Sequence, residues 1–199
     1  KWAQAIMDAG NVAVLADPDG RCIPKLRPDA IVDAILAKRN LGTRITDAPI
    51  VIGVGPGFTV GTDCHAVVET LRGHTLGRVY YAGSALKNTG VPGSIGGFTL
   101  ERILRAPCDG VFRGVKQIGD TVEMGEICAY VNDQPMVAAI RGVLRGLLPD
   151  GITVHAGMKS GDVDPRCALE HCYQVSDKAL AIGGGVLEAI LHFSIKGVN

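Results

Sequence analysis

The chain has 199 residues, of which 47% are hydrophobic, and its 20 basic and 20 acidic residues balance to a formal net charge of zero. A chain of this size can bury a substantial core, as one domain or as two small ones. Since the charges form no block of one sign and no apolar run reaches the ~20 residues of a membrane span, we expect neither a nucleic-acid nor a membrane partner.

The first part of the chain predicts helices that alternate with strands. Apolar residues keep helical spacing from Trp2 to Ala9, and Gly10 ends this opening helix. The segment "NVAVLADPDG" predicts a short strand, Val12 to Leu15, closed by a Pro-Asp-Gly turn. "PDAIVDAILAKRN" is compatible with a helix or a buried strand, and its β-branched residues favour the strand.

The segment "APIVIGVGPG" predicts a buried strand with a turn at its end, and a helix follows it. This helix is expected to run from Asp63 to Arg72, with Thr62 or Asp63 as its N-cap and Gly73 as its C-terminal stop. The order strand, loop, helix is typical of α/β structure.

Beyond about residue 98 the pattern changes to short alternating strands that contain an internal repeat. "RAPCDGVFRGVKQIGDTVEMGEICAYV" is echoed by "VAAIRGVLRGLLPDGITVHAGMKSGDV" at a constant offset of 32 residues, as from Gly110 to Gly142 and from Gly125 to Gly157. Matching glycines at matching turns predict the same backbone path twice. Neither half can bury its apolar face alone, so we expect the two halves to form one closed sandwich or barrel.

The repeated motif is similar to that of biotinyl and lipoyl carrier domains, and two copies would resemble a barrel-sandwich hybrid. A carrier needs a lysine at its hairpin tip, where this sequence has Thr99 in the first half and Val131 in the second. Because neither side chain can be acylated, the resemblance implies a structural or docking role in place of the carrier's chemistry.

The last part of the chain predicts a helix with Ser176 as its N-cap. Its apolar residues keep helical spacing through Gly183, Gly184 and Gly185. Each glycine inside a helix costs about 1 kcal/mol relative to alanine, so we expect another backbone or a ligand to press against the glycine face.

The predicted fold class is α/β with mixed α+β character, in three parts. A Rossmann-like α/β portion occupies residues 1–97, a repeat-built β barrel-sandwich occupies residues 98–165, and a C-terminal helical segment (166–199) packs back on the first portion. The chain opens inside a helical pattern and without a methionine, so we expect it to be a piece of a longer protein. Its six cysteines are scattered and no signal segment precedes them, which favours reduced thiols and a cytoplasmic location.

A basic cluster could bind an anion in the α/β portion. Lys38, Arg39 and Asn40 follow an apolar element. Ligand groups gather at the carboxyl ends of the strands in a parallel sheet, and such a cluster there could clamp a phosphate or a carboxylate. The alternative is a solvated loop.

The glycine-rich turn with Gly55, Gly57 and Gly61 is a second candidate for binding an anion or a nucleotide, because it precedes a predicted helix. No lysine follows these glycines, so a P-loop is excluded, and Pro56 removes one N–H donor. The alternative is a tight turn packed under another loop. The long glycine-rich segment 83–97 adds two hydrogen-bonding side chains, those of Asn88 and Thr89.

A metal site is the weakest of these hypotheses. His65 and Glu69 are four residues apart and would share one face of the predicted helix, with His74 just beyond its end. Since nine residues of regular helix separate the two histidines by ~13 Å, a shared ion would need the chain to fold back. A hydrogen bond between His65 and Glu69 on the helix surface is the favoured alternative.

Several of these segments together resemble the YqeB family. They are "VDAILAKRNLGT", "DAPIVIGVGPGFTVGTDCHAVVETLRGHTLGRV", "NTGVPGSIGG", "ERILRAPCDGV" and "SDKALAIGGGVLEAIL". Members of that family normally begin with a glycine-rich, Rossmann-like segment that this sequence lacks. The resemblance covers nearly the whole chain.

The resemblance implies an accessory protein that matures selenium-dependent molybdenum hydroxylases. Its partners would then be such a hydroxylase or its maturation machinery, together with a phosphorylated or nucleotide cofactor, and a homo-oligomer would be compatible with that role. Two alternatives stay open. One is a nucleotide- or metal-dependent transferase acting on a cofactor, with His65, Glu69 or His74 as acid–base groups or ligands. The other is a binding module without catalysis.

Overall fold

The structure is a computed structural model that describes residues 2–196. Its contacts divide the chain into two compact units. The first comprises the residues up to Asn88 together with those from Ala181 onward, and the second comprises Thr89–Leu180. The sequence predicts boundaries after residues 97 and 165, whereas this division falls after residues 88 and 180.

The first unit has one four-stranded sheet of order β1-β2-β3-β4. Strands β1, β2 and β3 run parallel, and β4 pairs antiparallel with β3. The helices are α1 (Trp2–Asp8), α2 (Ile23–Leu26) and most of α3 (Asp177–Lys196), and the strands are β1 (Ala30–Asp33), β2 (Ile50–Val54), β3 (Ala66–Val68) and β4 (Val79–Tyr80).

Apolar side chains cover both faces of the central strands of this sheet. Ile52 and Val68 pack on one face against Ala189 of α3, and Val51 and Val67 pack on the other face against Phe58. A parallel strand that is buried on both faces reads as an unbroken apolar run. This is why "IVIGV" was recognisable as a strand, and the prediction of β2 is confirmed.

Two predicted elements of this unit are wrong. The predicted helix from Asp63 to Arg72 is replaced by the buried strand β3. Asp63 caps no helix, because its Oδ2 accepts a hydrogen bond from the N–H of Thr59 (2.8 Å) and so closes a turn. The predicted strand at residues 12–15 is irregular in the structure, and Val12 and Val14 are exposed without a partner strand.

Helix α3 begins and packs as its sequence predicts. The N–H of Ala179 donates to Ser176 Oγ (3.1 Å), which confirms the N-cap. A Cβ at Gly185 would overlap the carbonyl oxygen of Gly77. Another backbone therefore presses against the helix at that glycine. Gly183 and Gly184, by contrast, have open space around them.

Among residues 2–196, one stretch (Leu169–Ile195) is by length and composition alone apolar enough to cross a membrane. A single stretch of this kind is weak evidence, since core helices of soluble proteins pass the same test. The cytoplasmic location stays a prediction.

The second unit consists of two four-stranded sheets with the orders β5-β12-β10-β7 and β11-β6-β8-β9. Two short 3₁₀ turns accompany them, the first at Leu100–Arg102 and the second at Leu169–Cys172. The strands are β5 (Ile103–Arg105), β6 (Gly110–Gly114), β7 (Thr121–Val122), β8 (Ile127–Val131), β9 (Gln134–Val137), β10 (Gly142–Leu147), β11 (Thr153–Val154) and β12 (Lys159–Asp164).

The strand pairing repeats at the offset seen in the sequence. Gly142 of β10 pairs with Val122 of β7, and the residues 32 positions away, Gly110 of β6 and Val154 of β11, pair in the same way. Each sheet thus combines strands from both halves. The inward side chains of both sheets form one core that includes Phe112.

The structure is therefore mixed α and β, with most elements being strands. The finer likenesses to a Rossmann domain and to a barrel-sandwich hybrid stay predictions.

Candidate functional site

The structure brings the predicted basic cluster and the glycine-rich turn together. Since β1 and β2 are parallel, with Ala30 paired to Ile50, the loops at their carboxyl ends lie at the same edge of the sheet. Gly57 has a φ of 111°, and a Cβ there would lie 2.5 Å from the Cα of Arg39. Gly57 is thus required because the backbone at Arg39 packs directly on it.

Asn40 organises the loop after β1. Its Nδ2 donates to the carbonyl of Thr43 (2.8 Å) and to Oδ1 of Asp63 (3.0 Å). Its Oδ1 accepts from the N–H groups of Gly42 and Thr43, both at 2.8 Å. An asparagine amide has two donors and two acceptor positions. All four are engaged, so the predicted role of Asn40 as an anion ligand is replaced by a structural one.

Asp33 holds the same loop from the end of β1, and the sequence analysis missed it. The residue is buried, its Oδ2 accepts from Thr43 Oγ1 (2.6 Å), and its Oδ1 accepts from the N–H of Ile35 (3.1 Å). An aspartate at the end of a predicted strand was the available signal. Its partner lies ten residues away, beyond what local patterns reveal.

The glycine-rich turn uses most of its N–H groups within the protein. Gly55 donates to the carbonyl of Val68 (2.8 Å) and Gly61 to that of Cys64 (2.9 Å). Val60 donates to the carbonyl of Gly83 (2.9 Å), and the N–H of Thr59 is taken by Asp63. With these donors engaged and the predicted helix absent, Gly55 and Gly61 turn the chain and do not form a phosphate cradle.

Lys38 and Arg39 are the predicted anion ligands whose charged groups stay accessible. Both residues are exposed. Lys38 has a φ of 65°, a left-handed conformation that is uncommon for a residue with a side chain. Two cations therefore stand at the carboxyl edge of a parallel strand pair, on a loop that Asp33 and Asn40 hold in place.

Glu69 is a fully buried structural carboxylate. Its Oε1 accepts from the N–H groups of Thr70 (2.7 Å) and Leu71 (2.8 Å), and its Oε2 accepts from the N–H of Leu86 (2.9 Å). Backbone donors of this kind compensate for the desolvation of a charge. The carboxylate fixes two loops to the end of β3, and it is not accessible as an acid–base group.

His65 is likewise engaged within the protein. Its Nδ1 accepts a hydrogen bond from the N–H of Val51 (2.9 Å), and its ring meets that of Phe193 edge to face with centroids 5.7 Å apart. The favoured hydrogen bond between His65 and Glu69 is therefore replaced by separate backbone partners for each side chain.

Within residues 2–196, no group of three or more His, Cys, Asp or Glu side chains stands close enough to hold a metal ion. His74 is exposed. The proposed metal ligands His65, Glu69 and His74 were expected on and just beyond a helix, and a strand stands there instead. These three side chains do not form a metal-binding group in the described part of the chain.

The two polar residues of the long glycine-rich loop fall in different units. Asn88 ends the first stretch of the first unit, and Thr89 begins the second unit. Thr89 Oγ1 lies 3.3 Å from the nitrogen of Val91 and accepts a local hydrogen bond from it.

A charged cluster in the second unit was not found from the sequence. Asp164 is fully buried, and Arg166 donates to both of its carboxylate oxygens, from Nε to Oδ1 at 2.9 Å and from a terminal nitrogen to Oδ2 at 2.5 Å. These hydrogen bonds lower the pKa of Asp164 to about 2. Arg145 and His171 each approach the same carboxylate to 3.7 Å. Arg145 lies on another strand, β10, and His171 on the second 3₁₀ turn, so no single short window of sequence contains the cluster.

Fold and site together define a two-unit protein of mixed α and β structure. Its accessible candidate binding residues, Lys38 and Arg39, are cationic and lie at the carboxyl edge of parallel strands. No family model matches the chain. It is 49% identical over 197 residues to the uncharacterized protein YqeB of Escherichia coli (strain K12). This similarity covers 99% of the chain and supports the YqeB family that its motifs indicate. The chain spans 36% of the length of that curated relative.

One solved structure shows a partial likeness, the crystal structure of an aspartoacylase family protein from Mesorhizobium loti. The two are 16% identical, the match covers 41% of this chain and 25% of the other, and the TM-score is 0.29. A likeness at that level carries no argument about function.

Proposed function

We propose that the chain is part of an accessory protein that matures a selenium-dependent molybdenum hydroxylase and binds an anionic cofactor or nucleotide. The role in maturation is what the motif resemblance to the YqeB family implies. The binding of an anion is supported by one observation, the contact of the Arg39 backbone with Gly57, which sets Lys38 and Arg39 beside the turn after β2.

The position of these two cations favours a ligand. In open sheets of parallel strands, ligands bind outside the carboxyl ends of the strands. The loop that carries Lys38 is held by Asp33 and Asn40, so the cations are supported on structured backbone. Because the N–H groups of Gly55 and Gly61 are engaged, the side chains of Lys38 and Arg39 would supply the attraction, with Arg39 suited to a bidentate phosphate or carboxylate.

The alternative of a cofactor transferase is less well supported. It named His65, Glu69 or His74 as acid–base groups or ligands, and the burial of Glu69 removes one of these three from contact with a substrate.

The test is a thermal-shift screen of the chain against inorganic phosphate, nucleotides and molybdopterin-type cofactors. We expect at least one of these to raise the unfolding temperature, and Lys38→Gln combined with Arg39→Gln to abolish the shift. Glutamine is preferred to alanine because it removes the charge while leaving a side chain of similar reach at the left-handed Lys38 position. Lys25→Gln, which removes an exposed charge elsewhere in the same unit, is the matched control and should keep the shift.

Two results would count against the proposal. One is the absence of a shift with every probe. The other is a shift that survives in the double variant, which would show that the anion binds away from this loop.

A further inference from the structure

The two sheets of the second unit carry equivalent outward positions. In one sheet, Arg113, Tyr130 and Pro135 form a row across β6, β8 and β9 through successive strand pairs. The positions 32 residues away, Arg145, Asp162 and Ile103, belong to the other sheet. The repeat thus allows the outer faces of the two sheets to be compared position by position.

One of these faces is covered by the chain itself, and the other is open. Val143 of β10 is 3% exposed, whereas its equivalent Val111 of β6 is 50% exposed. The first 3₁₀ turn lies against β12, and the second lies against β10. On the open sheet, Val137 of β9 is also exposed. This "open face" consists of Val111, Arg113, Tyr130, Pro135 and Val137.

An ion pair joins the covered face to the segment that covers it. Asp162 of β12 supplies a carboxylate, and Arg102 of the first 3₁₀ turn reaches both of its oxygens, at 2.8 and 3.0 Å. The strand therefore carries the acid, and the covering segment carries the base.

The open face keeps the arginine of the repeat but lacks the acid, because Tyr130 stands where the covered face has Asp162. Arg113 lies over the ring of Tyr130 with its guanidinium carbon 4.9 Å from the ring centroid. Within the described part of the chain, no carboxylate pairs with it at 4 Å or less. Its equivalent Arg145 sits at a β-bulge and approaches the carboxylate of Asp164 to 3.7 Å. The pairing of β6 with β8 has no such bulge at Arg113.

We propose that the open face docks a segment of a partner protein that carries an acidic side chain flanked by apolar ones. The carboxylate pairs with Arg113, whose guanidinium is already held by the ring of Tyr130. The flanking apolar groups cover Val137 and also Val111, whose equivalent Val143 is buried by the chain itself. This proposal is independent of the anion site at Lys38 and Arg39, which belongs to the other unit.

The test uses the whole 199-residue chain as bait for a displayed library of random peptides. We expect enriched peptides to carry Asp or Glu beside aliphatic or aromatic residues. One enriched peptide is then synthesised with a fluorescent label. Arg113→Glu should weaken its binding by about tenfold or more, because a pair of opposite charges becomes a pair of like charges.

A charge exchange makes the test specific. A second peptide with lysine in place of its acidic residue should regain binding to Arg113→Glu while failing on the wild type. Arg141→Glu is the matched control, because Arg141 is an exposed arginine of the same unit and pairs with Glu123. It should leave the binding of the first peptide unchanged.

Three results would overturn the proposal. The first is a selection that enriches no acidic peptide, and the second is binding that does not respond to Arg113→Glu. The third is a second copy of the chain on this face. Sedimentation would then show a wild-type dimer that Val111→Asp dissociates, and since Val111 is half exposed, that variant is expected to fold.

Discussion

Single substitutions of the three adjacent glycines of α3 by alanine distinguish the effect of helix propensity on stability from the effect of packing. All three glycines lie within Asp177–Lys196, so alanine gains about 0.8–1 kcal/mol of helix propensity at every position. A Cβ at Gly183 or Gly184 meets no atom within 4 Å, whereas at Gly185 it would overlap the carbonyl oxygen of Gly77 and lie 2.9 Å from Val68 Cγ1. The obstacle at Gly185 is largely backbone, which cannot rotate away.

The expected change in the free energy of unfolding therefore differs among these three consecutive residues. Gly183→Ala and Gly184→Ala should each stabilise the chain by about 1 kcal/mol. At Gly185, overpacking costs about 1–3 kcal/mol and exceeds or cancels the same gain. Gly185→Ala should thus fall below both controls by about 1–3 kcal/mol in the free energy of unfolding.

Urea unfolding followed by circular dichroism at 222 nm measures this difference, because α3 is the longest helix of the described chain. The variants are compared through their transition midpoints at unchanged slope. Equal stability of Gly185→Ala and Gly183→Ala would refute the reasoning, since it would mean that the Gly77 backbone does not press on α3.

Two further predictions concern single side chains. His65→Ala should destabilise the first unit by about 1–3 kcal/mol, because the buried N–H of Val51 loses its acceptor, whereas His74→Ala on the surface should not. Nitrogen NMR should also find His65 protonated at Nε2 when neutral, and a proton on Nδ1 would contradict the hydrogen bond. Asp164→Asn should cost about 1.5–3 kcal/mol near neutral pH. Since the folded pKa of Asp164 is lowered to about 2, below its unfolded value of about 3.9, this stabilisation is present above that unfolded pKa and is lost as the pH falls towards 2. Urea titrations of both proteins over that range should converge, and a constant difference would show that the carboxylate charge is not the cause.

The elements that the sequence predicted correctly are those with strong local signals. The unbroken apolar run of β2 and the serine cap of α3 depend on neighbours in sequence, so a short window contains the information. Strand β3 has only three residues, and its neighbours Thr62 and Asp63 are equally good caps for a helix and for a turn. Its identity depends on pairing with β2, which no local pattern contains.

For the candidate site too, local sequence predicted some features and not others. The strand-end rule placed Lys38 and Arg39 at the carboxyl end of a strand, and the structure packs Arg39 on Gly57 of the glycine-rich turn there. What the sequence could not supply was the use of each hydrogen-bonding group. Asn40, Glu69 and His65 have the residue types of ligands, but the side chain of each makes hydrogen bonds within the fold, in the case of His65 through Nδ1.

The two halves of the repeat show which positions keep the same type of residue and which positions differ. Positions that fill the common core or make its turns are constrained in both halves, as Gly119 and Gly151 show with φ angles of 102° and 84°. Outward positions carry no such constraint, and there the halves differ, with Tyr130 in one sheet where Asp162 stands in the other. A covered face needs complementary residues on two segments, as the pair of Asp162 with Arg102 shows, and the open face has Tyr130 in place of that acid. The two equivalent surfaces therefore differ in their packing, since Val143 is buried by the chain itself whereas Val111 is half exposed.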